Sequence, residues 1–507
     1  MKYLVIIIPL LLFLPFSTYA QETTGVSAAP SSSEQKLHLT LAEYVKRVVD
    51  NNEAISAQYH EFLISKENIM RERSVFEPEL VNSVQRGQEK IKYSQDEKSQ
   101  LIFSNESDKL TNSFSSLIQG KAPSGADIKL GYTQSGVKDW ALDEDMEYKS
   151  YLGVEITQPL MKNAGMATTA NIKAAKKDSG ISFQSYRMKM MEVVFSALSS
   201  SWDYYGTKER LKIRQESVTI AEKLLEMNKE RVRLGKMAQS ELLEAEAGLA
   251  KRKSWESSAR QDLVSAKNSL KSFISLSDVT VDLDLDMKDS LNKTGTEPTF
   301  NKSMTTAIGL RPEYLSTAQK IEKEKLLVTY AKNQRWPQLD LNGSYGLNGL
   351  GDNTEDALDD TFDSDFRTWK VGLTFTIPLG GNMKTKSELN AARYRKRQAL
   401  LELKSVEVQV ANIIDTAIKS VYATREQVAY YESARKIEER LLEIEEERFK
   451  RGKSTSRYLL EKEDDLHYAK EAELENIVNT RKAALSLALA EGSLLIIHAA
   501  EVQKTGP

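Results

Sequence analysis

Two stretches of this chain contain no proline, Leu160 to Glu297 and Leu379 to Gly506, and each runs for more than a hundred residues. Proline removes a helix hydrogen bond and clashes with the preceding turn, so a long proline-free run with a helical apolar pattern marks a long helix. In the first run Met190, Ala197, Tyr204, Leu211, Val218, Leu225 and Val232 recur every seven residues, the repeat that keeps one seam of a coiled coil buried. In the second, Leu403, Val406, Val410, Ile413, Ala417, Val421, Val428 and Tyr431 keep three-and-four spacing, with Thr424 in the one gap. A helix from about 166 to 232 is ~100 Å long at 1.5 Å per residue, far more than a globular domain needs.

Each run has one evident breaker, Gly235 in ERVRLGKMAQSELLEAEAGL and Gly452 in ERFKRGKSTSRYLLEKEDDL. Each run therefore reads as a helical hairpin turning at its glycine. The two twenty-residue windows, 230 to 249 and 447 to 466, share nine identities without a gap, at an offset of 217. The chain is an internal duplication. The strands repeat too: YLGVEITQPL (Tyr151 to Leu160) aligns with KVGLTFTIPL (Lys370 to Leu379). Each has a partner upstream, FEPELVNSV from Phe76 and WPQLDLNGSYGLNG from Trp336, with Pro78 matching Pro337. Each half thus reads helix, strand, strand, long helical hairpin, and Thr40 with Glu43 forms a capping box for the first helix.

The halves differ in length, Pro78 to Pro159 spanning 81 residues and Pro337 to Pro378 only 41. In the surplus, Ile128, Leu130 and Tyr132 alternate with polar residues after a Pro-Ser-Gly turn, which predicts an additional β-hairpin at about 111–136. The polar segments 21–36 and 277–300 read as a flexible leader and a connector. The resulting organisation is a first repeat over 37–276, a second over 301–496 and a tail over 497–507. The segment from Asn348 to Arg367 carries seven acids and one arginine and reads as a solvated loop, with divalent-cation binding the alternative.

The N-terminus has a lysine, an apolar run from Leu4 to Phe16, then Thr18 and Ala20 spaced as in a small-residue cleavage site. Residues 1–20 read as a secretory signal peptide. Only 40% of the chain is apolar, 28% is charged and there is no cysteine, which excludes a disulfide-stapled scaffold and argues against a large conventional core. A net charge of −3 without a basic, aromatic-rich patch gives no footing for nucleic acid.

In the second-half strands Trp369, Val371, Leu373 and Phe375 alternate with small or polar residues, and Leu339, Leu341, Tyr345 and Leu347 lie opposite Gln338, Asp340, Asn342 and Ser344. An apolar face needs an apolar layer, and most of the remaining chain is committed to coiled coil. Lipid supplies that layer in an outer-membrane barrel, whose inner face is polar. Four strands cannot close a barrel and an open edge is not tolerated in lipid, so several chains must contribute. Three chains of four strands make a twelve-stranded barrel; the additional hairpin either enters that barrel, which changes the count, or extends its extracellular mouth.

The repeated strand-strand-hairpin unit, the strand endings ITQPLMKNAG and FTIPLGGN, and the two Arg-x-x-x-Gly turns each followed by a Leu-Leu-Glu run resemble the outer-membrane efflux protein family typified by TolC. The resemblance covers about residues 37 to 496. It implies a mainly α fold with β, in which long antiparallel coiled-coil hairpins form an α-barrel and transmembrane strands complete a β-barrel in a homotrimer. It also implies a duct in the outer membrane reaching through the periplasm to a periplasmic adaptor and an inner-membrane RND or ABC pump, in efflux or type I secretion. On this resemblance the adaptor-contact tips are Arg231, Gly235, Lys236, Arg448, Gly452, Lys453 and Ser454. The family's gate carboxylates fall at Tyr458 and Glu461, where one acid matches and one does not. Threefold symmetry brings three copies of Glu461 together and favours cations. Glu463, Asp464 and Asp465 nearby read as a solvated helix face.

The four histidines, His38, His60, His467 and His498, lack metal-ligand spacing, and no nucleotide, hydrolase or dinucleotide motif occurs. The expectation is a passive channel with no catalytic, cofactor or metal site. The alternative is a non-conducting structural or adhesive coiled-coil protein of the outer membrane.

Overall fold

The computed structural model describes residues 36–92, 106–140, 145–278, 280–287, 297–363 and 365–497. The expected signal peptide, nearly all of the leader and tail, and His498 lie outside them. In chain order the elements are β1 (Lys36–Thr40), α1 (Leu41–Asn51), α2 (Glu53–Arg73), β2 (Glu79–Lys92), β3 (Glu106–Lys121), β4 (Asp127–Asp139), β5 (Glu147–Pro159), α3 (Ala170–Arg233), α4 (Gln239–Phe273) and β6 (Asp282–Asp286). The second half supplies α5 (Phe300–Leu310), α6 (Pro312–Asn333), β7 (Gln338–Gly351), α7 (Thr354–Asp363), β8 (Arg367–Thr376), α8 (Met383–Lys450), α9 (Ser456–Glu491) and α10 (Leu494–Ile497).

The two hairpins form where the proline-free runs place them. α3 is 64 residues and α8 is 68, each ~100 Å long. Along α3 Met190, Ala197, Tyr204, Val218 and Leu225 are buried, and Leu211 and Val232 are half-buried. On α8 the buried stripe holds Val410, Ala417 and Val421, but Ile413 and Tyr431 are exposed and Ile414 takes the buried place. α8 packs against α9, α6 and α5 at different heights, and a straight helix drifts ~20° per heptad against a strict seven-residue seam. The capping box is present, with Thr40 Oγ1 accepting from Glu43 N–H and the Glu43 carboxylate accepting from Thr40 N–H. The first-turn helices of both halves break alike, α1/α2 at the N-cap Asn52 and α5/α6 at Pro312, where the missing N–H costs nothing.

All strands but β1 and β6 form one antiparallel sheet in the order β2-β3-β4-β5-β7-β8. The first half therefore gives four strands and the second two, so the expectation of two strands per half, on which the twelve-strand count rested, is corrected. The predicted hairpin is β3-β4, and its turn lies at the helical end, where Gly165 N–H donates to Ser124 O. It does not extend the mouth. Registers make the two faces explicit. Leu80, Ile118, Leu130, Val154, Tyr345 and Trp369 are cross-strand neighbours in a single row across all six strands. The adjoining row on the opposite face is Glu79, Gln119, Lys129, Glu155, Ser344 and Lys370. Trp369, Val371, Leu373 and Phe375 are 57 to 70% exposed, an uncovered apolar face. The acidic segment read as a loop is instead the helix α7, seated on this face beyond the apolar rows. There Ala357 and Thr361 are fully buried and Ser150 Oγ donates to Ala357 O. Gly349 and Gly351 admit α7 because a Cβ at either would overlap its backbone.

At mid-height the connector is not a plain linker: β6 pairs in parallel with β1. Leu37, Leu39, Leu283 and Leu285 turn to the largest core, with Tyr44, Val45, Val48, Val194, Leu198 and Leu270. Lys36 and His38 face Asp282 and Asp284 on the other side. Burial pushes the Asp284 carboxyl up, but the Lys208 ammonium and the Tyr204 hydroxyl outweigh it, and the group is held below its usual value of 3.8. Its contribution is complete above that usual value and is lost as pH falls through the depressed folded one. Asp284→Asn should lower stability by about 1 kcal/mol at neutral pH, discounted for partial exposure. The gap between the thermal midpoints of wild type and variant should close as the pH is taken below 3.8.

Candidate functional site

The polar face of the sheet is one part of the site. Ser83, Ser115, Thr133, Tyr151 and Asn348 form an uncharged row across five strands. The Tyr151 ring lies over Gly153 and Gly346, where a Cβ would overlap it. In the charged row Lys129 Nζ lies 3.4 Å from Glu155 Oε2. Such a face suits water, and the apolar face behind it does not.

The helical turns are the other part. Arg233 and Lys450 end their helices, and Gly235 (φ 69°) and Gly452 (φ 71°) adopt the left-handed conformation that lets each chain reverse. Gly235 N–H donates to Val232 O and Lys236 N–H to Arg231 O; Gly452 N–H donates to Phe449 O and Lys453 N–H to Arg448 O. The two turns are the same Schellman motif, which satisfies the last helical carbonyls. The predicted tip residues thus gather at the two turns, and the turns meet: the Arg231 guanidinium sits 4.5 Å from the Phe449 ring centroid. Phe449 is buried with Leu224, Leu442, Leu459, Leu460 and Leu466. Glu445, itself buried, accepts from Ser454 Oγ and pairs with Arg448 at 3.0 Å. From Arg448 to Tyr458 the chain carries five basic residues and no acid.

Tyr458 and Glu461 lie on α9, three residues apart on one exposed face just past the second turn. Two of the three neighbouring acids, Glu463 and Asp464, do something different from the solvated face expected of them, whereas Asp465 stays on the surface and pairs with Lys462 at 2.7 Å. Glu463 is 2% exposed and its Oε2 is 3.0 Å from Arg252 Nη2, which also bonds Asp464 Oδ1 at 2.7 Å. Arg252, also 2% exposed, donates further to Ser217 Oγ and Leu460 O, tying α3, α4 and α9 together. A second buried tie joins the hairpins nearer the turns, Asn228 Nδ2 to Ser456 Oγ at 2.8 Å. Sequence reasoning missed both. Arg252 sits in a Lys-Arg-Lys run, and the position 217 residues later is Ala469, so the duplication gives no sign of it.

The family model described as outer membrane efflux protein matches residues 126–275 and 304–493, one segment in each half. The chain belongs to the outer membrane efflux protein family. Sequence comparison with curated proteins gives no match. Among solved structures, the chain is similar to the Campylobacter jejuni outer membrane channel CmeC, with 16% identity, a TM-score of 0.61, and 89% of this chain and 85% of that one covered. The Neisseria gonorrhoeae outer membrane channel MtrE, in its open state, gives 14% identity, a TM-score of 0.64, and 92% and 94% coverage. The Vibrio cholerae outer membrane protein VceC gives 14%, 0.62, and 89% and 96%. At these identities the likeness is one of fold, and it extends over nearly the full length of each chain. In this efflux family member the matched length takes in strands of the sheet and both helical hairpins.

Removing the Arg252 guanidinium leaves Glu463 buried without its cation. Arg252→Ala should cost about 3–5 kcal/mol, read as a fall in thermal midpoint and faster amide exchange where α4 meets α9. Arg252→Met combined with Glu463→Leu should recover most of that loss.

Proposed function

We propose that three copies of this chain form a passive exit duct through the outer membrane and periplasm. In this reading the duct receives cargo from an inner-membrane pump through a periplasmic adaptor. The observation that carries it is the register of the sheet, with an apolar row and a polar row back to back, continuous with hairpins long enough to reach deep into the periplasm. Residues 1–20 direct export and are removed. Repeats 37–276 and 301–496 each supply strands and one hairpin, so three chains give a ring of six tips. The basic turn residues Lys236, Arg448 and Lys453 face the adaptor, and the glycines Gly235 and Gly452 set the shape it meets. Tyr458 and Glu461 line the entrance, with the Glu461 carboxylates favouring cations. The chain supplies no energy; the pump does.

In-cell photo-crosslinking from Lys453, which is exposed on the second turn, should capture a periplasmic adaptor. Capture of envelope structural components alone by a folded outer-membrane protein would favour the non-conducting coiled-coil reading. In planar bilayers Glu461→Ala should weaken block by multivalent cations several-fold, and unchanged block would remove this carboxylate from the entrance.

A further inference from the structure

β2 and β8 each have a strand on one side only, and nearly every residue of both is exposed. Leu80 and Val84 on β2 stand 64% and 79% exposed on the apolar face, at the far end of the sheet from Trp369 on β8. In lipid an unpaired edge leaves backbone N–H and C=O groups unsatisfied, at several kcal/mol each. We infer that β2 of one copy pairs with β8 of the next, so that three copies of this six-stranded sheet close into an eighteen-stranded barrel. The inference rests on the trimeric duct proposed above.

Three observations support this closure. β4 has no free edge, since it is paired with β3 from Lys109↔Asp139 to Lys121↔Asp127 and with β5 on its other side. A twelve-stranded closure through β4 would require the whole β3-β4 ladder to break. Strand direction alternates across the sheet, β2 running away from the helices and β8 back toward them, so the two edges meet antiparallel. Parity also fits. Even-numbered residues of β2 and odd-numbered residues of β8 share the apolar face, and matching them keeps Leu80, Val84, Val371 and Leu373 outward together.

Barrel width grows roughly in proportion to strand number, and eighteen strands fall in the range that encloses an aqueous channel. The outer-membrane segment then passes bulky hydrated cargo, and size selection is left to the periplasmic end.

The chain has no cysteine, so introduced thiols are its only ones. Ser83→Cys on β2 would be combined in turn with Thr368→Cys, Lys370→Cys, Gly372→Cys, Thr374→Cys and Thr376→Cys on β8, all on the polar face. These five partners are every β8 position that parity allows opposite Ser83. Detergent-purified protein should be trimeric by light scattering, and one of these pairs should give a covalent trimer on a denaturing gel that collapses on reduction. The comparison pairs Thr133→Cys on β4 with the same five positions. Trimers that cross-link from Thr133, or that fail to cross-link from Ser83 in any register, overturn the eighteen-stranded closure and leave the duct intact. Protein that is monomeric throughout overturns both.

Discussion

A strand offers its two faces with a period of two, and a slip of one residue exchanges them. The sheet of this protein holds a single parity across six strands drawn from two halves of the chain, so Leu80 and Trp369 end on the same side although 289 residues separate them. Everything else in the molecule is compatible with that constraint. One face carries uncovered apolar rows beside the seat of α7, suited to lipid; the other is Ser, Thr, Asn and a Lys129–Glu155 pair, suited to water. Within this architecture the helical hairpins continue the sheet, because β5 and β8 each lead directly into a helix of 64 or 68 residues.

The duplication explains why two unlike ends can be built from one plan, and its failures show where each copy has specialised. Both turns keep the same glycine, the same left-handed backbone and the same pair of capping hydrogen bonds. Their surroundings have diverged. Asn228 and Glu445 occupy equivalent positions, 217 residues apart, and both are buried. Asn228 reaches across to Ser456 on the other hairpin, whereas Glu445 bonds Ser454 on its own. Arg252 and Glu463 form the most deeply buried ion pair near the tips and have no counterpart in the other half. A buried pair of this kind adds little net stability over an apolar pair of the same size, but it strongly disfavours separating its members. It therefore fixes how α4 sits on α9.

Much of the architecture was legible in the sequence because it is written in periodicity. Proline-free heptads give helices, alternation gives strands, and a repeated window gives the duplication and both turns. The extra hairpin was legible from its turn and alternation. Its destination was not, because whether a strand joins a sheet depends on which edge is free when it arrives. The buried stripe of α8 was displaced from Ile413 to Ile414 because several neighbours, not one partner helix, compete for its surface. The acidic segment after β7 looked like a loop by charge alone, yet Ala357 and Thr361, four apart, supply a narrow small face that fits over Gly349 and Gly351.

By itself, then, the sequence determined the local geometry of the chain: helix length, strand parity, capping and the positions where the backbone must reverse. These depend on residues close along the chain, or on the chain's own repetition. Tertiary structure alone decided the order of strands in the sheet and which charges near the tips are exposed. Glu461 and Glu463 are two residues apart on the same helix, and nothing in their neighbourhood along the chain separates them. Only the arrival of Arg252 from another helix makes one a buried anchor and leaves the other facing water.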